Sequence, residues 1–248
     1  MAGYVCTVAG GNGGVGKTTT AINVAAALAA DGYDVAVVDA DLGMPNVSEM
    51  LGVDHERSLH DILAGRTTVS ETLTDAPGGM TIIPGEPALE AYAEADPQKL
   101  RKVIRTLRRA YDVVLVDTAA GLRQENTVPL ELADGVLLLT TPDYVSLTDT
   151  TKTGQLATRV DSEIIGALIV RVTEETDIAD IGDAFDFPVL GGIPANLDVA
   201  GDEPLVETAP DSDAAQAYRD LTTQLERVFF EGAEGAELDV VESELFES

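Results

Sequence analysis

The sequence contains one cysteine, no tryptophan and no apolar run of the roughly 18 residues that a membrane-spanning helix needs. A single cysteine excludes an intramolecular disulfide and the cysteine clusters that hold iron or zinc. Cys6 lies inside a short apolar run, where we expect a small buried side chain. The chain does not open with the basic and apolar regions of a signal peptide. We therefore expect a cytoplasmic protein.

Basic residues are also scarce, with 15 lysines and arginines against 44 aspartates and glutamates and a net charge of −29. The acids are spread along the whole chain, which is typical of a surface that stays hydrated at very high salt, and we expect a halophilic source. Such a surface repels nucleic acid and anionic lipid, although molar salt shortens the Debye length to about 3 Å. The charge therefore disfavours nucleic acid as a partner.

A glycine-rich segment follows the first apolar run. Residues 11–18 read GNGGVGKT and match the phosphate-loop pattern G-x-x-x-x-G-K-[ST] at Gly11, Gly16, Lys17 and Thr18. In this pattern backbone N–H groups cradle phosphates, the lysine reaches the β- and γ-phosphate oxygens, and the hydroxyl holds Mg²⁺. Apolar residues at helical spacing follow, so the N-terminus of a helix points at the anion. The segment predicts a nucleotide site.

Short runs of β-branched and other apolar residues recur along the chain, with helical patterns between most of them. The runs cover residues 5–9, 35–38, 81–83, 113–116, 136–139, 164–170 and 188–190. This alternation predicts an α/β fold of three layers, with a mostly parallel central sheet and helices on both faces. No repeat or linker interrupts it, so we expect one domain at residues 1–230 and an acidic tail at residues 231–248.

Carboxylates follow two of these runs at the point where each strand ends. Asp39 ends the second run, with Asp41 two residues later, and Asp117 ends the fourth. The carboxyl ends of parallel strands meet at one edge of the sheet, which is where ligands bind in such folds. These aspartates are therefore the candidates for meeting a metal above the sheet.

With the phosphate loop, the segments DADLGMPN at 39–46 and VVLVDTAAG at 113–121 resemble the deviant-Walker P-loop ATPases of the MinD and ParA family, with the strongest likeness to MinD. The resemblance continues in TPDYVSLTD at 141–149, GGIPANLD at 191–198 and EPLVETAPDSDAAQAYRDL at 203–221. It covers residues 1 to about 227 and thus nearly the whole chain.

The resemblance implies an ATPase that binds ATP or ADP together with Mg²⁺. It assigns Lys17 to the β- and γ-phosphates and to catalysis, Thr18 to Mg²⁺, and Thr19 to the side of the α-phosphate. The nucleotide-binding residues that it implies are Gly11, Asn12, Gly13, Gly14, Val15, Gly16, Lys17, Thr18 and Thr19.

The resemblance also gives roles to the three aspartates. Asp39 and Asp117 join Thr18 as the metal-binding residues, and Asp41 acts in catalysis by orienting the attacking water. Residues 117–121 form the second switch. Phosphoryl transfer needs positioning and charge neutralisation more than covalent chemistry, and these groups can supply both.

The sequence departs from the family at three places. MinD and ParA proteins have a signature lysine that reaches the partner's phosphates across an ATP sandwich dimer, whereas this chain has Asn12 there. An arginine finger supplied in trans accelerates hydrolysis by ~10³–10⁵. We therefore expect weak hydrolysis and weak ATP-driven dimerisation, unless another basic residue such as Arg123 supplies the missing charge. Val170 replaces the adenine-reading asparagine, which predicts loose base selectivity, and the segment 196–204 is a few residues short.

Two charged segments remain. The tail carries seven acids and no lysine or arginine, unlike a basic amphipathic membrane helix, so we expect no autonomous membrane anchor. Six of the 15 basic residues lie on a predicted helix at 97–110, opposite its apolar face. We interpret them as a solvated face paired with neighbouring acids, and a docking patch for an acidic partner or DNA is the alternative.

His55 and His60 are predicted to be surface residues.

Taken with the family, these features predict a nucleotide-dependent spatial organiser that places division, chromosome, motility or envelope machinery through partner proteins, with a possible homodimer through the nucleotide face. One alternative is a degenerate nucleotide-binding scaffold with little or no hydrolysis, which Asn12 favours. The other is a ParA-like DNA-partitioning protein, which the net charge disfavours.

Overall fold

The computed structural model describes residues 2–121, 124–195 and 203–238, and for residues 124–126 the backbone alone. Arg123, most of the short segment at 196–204 and the distal part of the predicted acidic tail therefore lie outside the described residues.

The described residues form one sheet. Its strands are β1 (Tyr4–Gly10), β2 (Val35–Ala40), β3 (Thr74–Asp75), β4 (Thr81–Ile83), β5 (Val113–Thr118), β6 (Gly135–Thr140), β7 (Ile164–Val172) and β8 (Val189–Pro194). Their order across the sheet is β3-β4-β2-β5-β1-β6-β7-β8. All neighbours pair in parallel except the two-residue β3, which pairs antiparallel with β4 at the edge. The predicted mostly parallel sheet is confirmed.

Helices connect the strands and cover the sheet. They are α1 (Lys17–Ala30), α2 (Val47–Met50), α3 (Leu59–Ala64), α4 (Leu89–Glu94), α5 (Leu100–Leu107), α6 (Gln124–Leu132), α7 (Tyr144–Arg159), α8 (Ile178–Gly182), α9 (Leu205–Thr208) and α10 (Asp213–Glu226). Short polar side chains begin several of them: Ser58, Asp143 and Ser212 each accept a hydrogen bond from a backbone N–H in the first turn. A π-helical turn, Arg227–Glu231, continues α10.

The core lies on both faces of the sheet. On one face, side chains of α1 and α10 pack against the central strands, and this cluster includes Cys6, whose burial raises the pKa of its thiol to about 12. On the other face, α3 and α5 cover one half of the sheet and α7 covers the other half. The predicted three layers and the predicted burial of Cys6 are therefore present.

Most strands extend beyond the carboxyl ends of the apolar runs that predict them, whereas β4 has the predicted bounds. β2 includes Asp39 and continues to Ala40, and β5 includes Asp117 and continues to Thr118. Both aspartates are therefore ladder residues of the central sheet, and Asp39 lies in register with Asp117. The parallel register therefore sets the two aspartates side by side on neighbouring strands, at the carboxyl edge of the sheet.

The basic helix predicted at 97–110 is a 3₁₀ turn followed by α5. Its apolar residues are buried, while Arg101 pairs with Glu131 and Arg108 pairs with Asp134. Lys99 donates from Nζ to the carbonyl oxygen of Leu63 at 2.7 Å. These contacts agree with the interpretation of a solvated face paired with neighbouring acids.

The first residues of the predicted tail lie against β7. A Cβ atom on Gly235 would lie 1.7 Å from the carbonyl oxygen of Ile165, so this glycine lets the chain approach the strand closely. Leu238 is partly buried against the core. The domain boundary at residue 230 stays a prediction.

The expectation that His60 is a surface residue is wrong. His60 is fully buried on α3, where its Nε2 lies 3.0 Å from the carbonyl oxygen of Leu42 and its Nδ1 accepts from the backbone N–H of Glu86 at 3.0 Å. Burial lowers the pKa of this imidazole, so the ring is neutral. It ties the loop after β2 to the segment after β4, next to the carboxyl edge of the sheet. His55 is partly exposed, and its Nδ1 lies 3.2 Å from the carbonyl oxygen of Arg57 in its own loop.

We predict that His60→Ala lowers the free energy of unfolding by about 2–4 kcal/mol, since it leaves a buried carbonyl and a partly buried N–H without their imidazole partner. Urea unfolding in high salt measures the loss, with His55→Ala as the matched control. Protonation breaks the contact with Glu86, and the folded pKa is depressed, so the contribution is complete above the ordinary histidine pKa of about 6.5 and is lost as the pH falls. Equal stability of the two variants would contradict this role.

Candidate functional site

The phosphate loop joins β1 to α1 at the carboxyl edge of the sheet. Gly14 and Gly16 have φ angles of 72° and 81°, in the left-handed region that favours glycine. Gly16 is the N-cap of the 14-residue α1 and offers no side chain to the first N–H groups of the helix. These donors and the positive end of the helix dipole are therefore free for an anion.

The start of the loop rests on α7. A Cβ atom on Gly11 would lie 2.3 Å from the Cβ of Asp149, so only glycine fits there. With its amide nitrogen facing Asp149, Asn12 donates to Asp149 Oδ2 at 2.9 Å. The other carboxylate oxygen of Asp149 pairs with Lys152 at 2.8 Å. Asn12 is therefore held against α7 by an acid of its own chain.

Lys17 is buried at the first position of α1. Its Nζ lies 3.4 Å from the carbonyl oxygen of Asn12, so the side chain folds back beneath the loop. Burial lowers the pKa of the ammonium, and the nearby carboxylates of Asp117 and Asp41 oppose that shift. A phosphate group in the loop would give this cation the anionic partner that the site otherwise supplies only through aspartates.

Thr18 and the two strand aspartates form a group of oxygen atoms below the loop. Thr18 Oγ1 lies 2.6 Å from Asp117 Oδ2 and 3.0 Å from Asn46 Oδ1. Asp39 Oδ2 accepts the backbone N–H groups of Asn46 and Val47, at 2.9 and 3.0 Å. Asp39 therefore also holds the first turn of α2, and with it Asn46, close to the hydroxyl.

Both strand carboxylates are buried, and each has an oxygen, Oδ1, without a hydrogen-bond partner in the described structure. Burial raises the pKa of Asp39, and the neighbouring Asp117 raises it further. Burial also raises the pKa of Asp117, while the Thr18 hydroxyl and Lys17 lower it. Two buried acids with unpaired oxygens favour the binding of a cation, which would remove the cost of ionising both.

This donor set fits Mg²⁺. Magnesium prefers carboxylate and hydroxyl oxygens, keeps several waters and usually takes one or two carboxylates together with substrate phosphates. Across residues 2–121, 124–195 and 203–238, no group of three or more His, Cys, Asp or Glu side chains could hold a metal alone. The cation would therefore depend on Thr18, Asp39, Asp117 and a phosphate ligand together.

A cavity of about 420 Å³ lies above these groups, a size typical of small-molecule sites. Asp41 lines its wall, and Asp41 Oδ1 accepts the backbone N–H of Met44 at 2.9 Å. From the described residues the cavity is lined by Gly13, Gly14, Gly16, Lys17, Thr18, Thr19, Asp41, Gly43, Met44, Asn46, Met50, Thr118, Ala119, Ala120 and Arg171.

The structure brings most of the predicted residues together, and it adds two. Asn46 joins the oxygen group, and Arg171 lines the cavity from the end of β7; the sequence analysis assigns neither. Val15 is buried in the core, and Val170, at the predicted base-reading position, is buried as well. A polar residue inside the apolar run of β7 is the signal that could have found Arg171.

The segment predicted as the second switch, residues 117–121, begins at Asp117 of the site and is hydrogen-bonded to β1. Thr118 donates to the carbonyl oxygen of Val8 at 2.8 Å, and Gly121 donates its N–H to the carbonyl oxygen of Gly10 at 3.4 Å. Residues 117–121 are therefore tied to β1 just before the phosphate loop.

None of the described helices is both long enough and apolar enough to span a membrane.

Comparison with known proteins agrees with this geometry. The family model AAA_31, described as an AAA domain, matches residues 3–170. An uncharacterized ATP-binding protein of Methanocaldococcus jannaschii is 34% identical over 226 residues, which covers 88% of this chain and 86% of that protein.

Two solved structures are similar over nearly their full lengths. The cell division ATPase MinD of Pyrococcus furiosus has a TM-score of 0.86 and 32% identity, covering 91% of this chain and 99% of its own. The septum site-determining protein MinD of Pyrococcus horikoshii, complexed with Mg-ADP, also has a TM-score of 0.86 and 32% identity, covering 93% and 98%. The expected cofactors, ATP or ADP with Mg²⁺, are confirmed at the level of the family. Fold, loop and relatives together show that the chain belongs to the MinD and ParA family of P-loop ATPases.

Proposed function

We propose that this protein binds Mg·ATP and acts in the cytoplasm as a nucleotide-dependent spatial organiser, which positions cell division, motility or other machinery through partner proteins. The observation that carries the proposal is the hydrogen bond from Thr18 of the phosphate loop to the buried carboxylate of Asp117, which lies in register with the buried Asp39. The solved relatives named for cell division and septum-site determination supply the class of cellular role.

Each residue of the site has a separate task in this proposal. The N–H groups of residues 13–19 and the ammonium of Lys17 bind the phosphates. Thr18, Asp39 and Asp117 hold Mg²⁺, which supplies charge neutralisation for the transferred phosphoryl group. Asp41 stands on the cavity wall, and its carboxylate orients the attacking water.

Exposed apolar side chains lie on segments that follow the carboxyl ends of several strands, and one of them, Met44, lines the nucleotide cavity. Met44 and Tyr144 are 79% and 82% exposed, and Leu89 and Val145 are exposed as well. These four residues follow the carboxyl ends of β2, β4 and β6, so they share the edge of the sheet that carries the phosphate loop. Exposed apolar side chains at one edge of so acidic a protein favour an interaction surface there. We propose that a second copy of the chain covers it when ATP is bound.

Hydrolysis is slower in this proposal than in relatives with the signature lysine. Asn12 carries no charge, and its amide is already hydrogen-bonded to Asp149. The same contact is the specific observation that favours the second candidate, a nucleotide-binding scaffold whose partners read its bound state without appreciable turnover. A DNA-partitioning role has less support, because the net charge of −29 opposes contact with phosphate backbones.

We predict that Lys17→Ala weakens ATP and ADP binding by at least about a hundredfold, since charge-assisted contacts to phosphate are the strong ones and none of the other three lysines lies in this loop. Calorimetric titration in high salt with Mg²⁺ measures the loss. Lys102→Ala, on the exposed side of α5, is the control and keeps full affinity. Unchanged affinity in the Lys17 variant would remove the site assignment.

We predict that Asn12→Lys raises ATP-dependent dimerisation, phosphate release or both by about tenfold or more, because it adds a cation where a trans-acting charge is effective. Light scattering and phosphate release in high salt measure the two effects. Asn12→Ala is the matched control: it loses the hydrogen bond to Asp149 without adding charge. Wild-type protein that already dimerises tightly and turns over as fast as the lysine variant would contradict the expectation.

We predict that Asp39→Asn stabilises the Mg²⁺-free protein by about 1–3 kcal/mol near neutral pH and weakens Mg²⁺-dependent nucleotide binding. The folded pKa of Asp39 is raised, so the wild-type protein loses stability as the pH rises above the ordinary aspartate pKa of about 3.9, and the asparagine variant avoids this loss. Thermal unfolding in chelator from pH 4 to pH 8 tests the divergence. Parallel stability curves would refute it.

A further inference from the structure

Arg171 occupies an irregular position in β7. Val170 lies opposite Ile193 and Val172 lies opposite Pro194, so two successive residues of β8 face residues of β7 that are two apart. Arg171 is the extra residue of this β-bulge, and it is exposed while the residues on both sides of it are buried. Bulges next to active sites re-aim a side chain.

The backbone of Arg171 is strained as well. Its φ angle is 61°, a left-handed conformation that few residues other than glycine adopt. Such conformations persist where the surrounding structure holds them, and they concentrate at ligand sites and switches. The pairing of β7 with β8 does not itself use Arg171, because Val170 and Val172 on either side of it are the paired residues. The strained backbone of Arg171 therefore calls for another explanation.

The bulge aims the guanidinium at the phosphate loop. Arg171 Nη2 donates to the carbonyl oxygen of Gly14 at 2.5 Å, across 157 residues of sequence. The side chain also lines the nucleotide cavity together with Lys17 and Thr19. Among the described residues that line this cavity, Lys17 and Arg171 are the two cations.

The contact with Gly14 uses only part of the capacity of Arg171. A guanidinium has five N–H donors in a planar fork that matches phosphate oxygens, whereas one carbonyl accepts through a single oxygen. Arg171 is exposed at the mouth of the cavity, so its remaining donors are accessible to a ligand. A neutral carbonyl is a weaker hydrogen-bond acceptor than a phosphate. A phosphate bound in the cavity can therefore replace the Gly14 carbonyl as the acceptor of the Arg171 guanidinium.

We propose that Arg171 is a phosphate-binding residue of the nucleotide site, which holds the loop through Gly14 when the site is empty and donates to the nucleotide phosphates when it is filled. This inference rests on the proposed binding of Mg·ATP. It also gives the chain a second cation at the loop, where Asn12 brings none.

The experiment compares Arg171→Asn, Arg171→Lys and the control Arg159→Gln. Asparagine tolerates the left-handed backbone, so the first variant removes the guanidinium and keeps the bulge. Arg159 is an exposed arginine at the end of α7, so its substitution makes the same change in net charge away from the loop. Affinities for ATP, ADP and adenosine are measured in high salt with Mg²⁺ by displacement of a fluorescent ADP analogue.

We expect Arg171→Asn to weaken ATP and ADP about tenfold, with adenosine unchanged and Arg159→Gln like the wild type. Arg171→Lys recovers part of the loss, because it keeps the charge but not the fork. Equal affinities in Arg171→Asn and Arg159→Gln would overturn the inference alone. An equal loss for adenosine would overturn it too, by assigning the guanidinium to the base. Wild-type protein that fails to bind ATP would overturn the proposed function with it.

Discussion

The hydrogen bond between the Thr18 hydroxyl and the Asp117 carboxylate joins the two parts from which the site is built. Thr18 comes from the phosphate loop, which is local in sequence, and Asp117 comes from a strand 99 residues later. The parallel pairing of β5 with β1 and β2 brings Asp117 beneath the loop and sets Asp39 beside it. Everything that the site can do with a metal and a phosphate depends on this register.

The same arrangement buries three ionisable groups, Lys17, Asp39 and Asp117, at one edge of the sheet. Asp39 and Asp117 are buried with unpaired oxygens, and burial raises the pKa of both. Lys17 is buried too, and burial lowers its pKa. A phosphate and a divalent cation together would give each of these groups an opposite charge. Burial at this edge of the sheet therefore lowers the stability of the protein without ligands, and a bound cation and phosphate would offset that cost.

The strands and the loop were predictable because each depends on local pattern. Buried parallel strands read as continuous apolar runs, and the loop has a fixed spacing of glycines and lysine. His60 was not predictable, since its burial results from two distant loops that close over α3. Arg171 was missed for a related reason. A bulge depends on the pairing register of β7 with β8, and the sequence does not show that register.

The positions of Asn12 and Arg171 bear on how two such acidic chains could meet. Each carries a net charge of −29, so long-range electrostatics oppose association. Molar salt shortens the Debye length to about 3 Å, and charge then acts only at contact distance. Under those conditions the groups in direct contact would decide association: the exposed apolar residues at the carboxyl edge of the sheet and the cations that line the cavity. Asn12 is held by Asp149 within its own chain, and the cations that line the cavity, among the described residues, are Lys17 and Arg171.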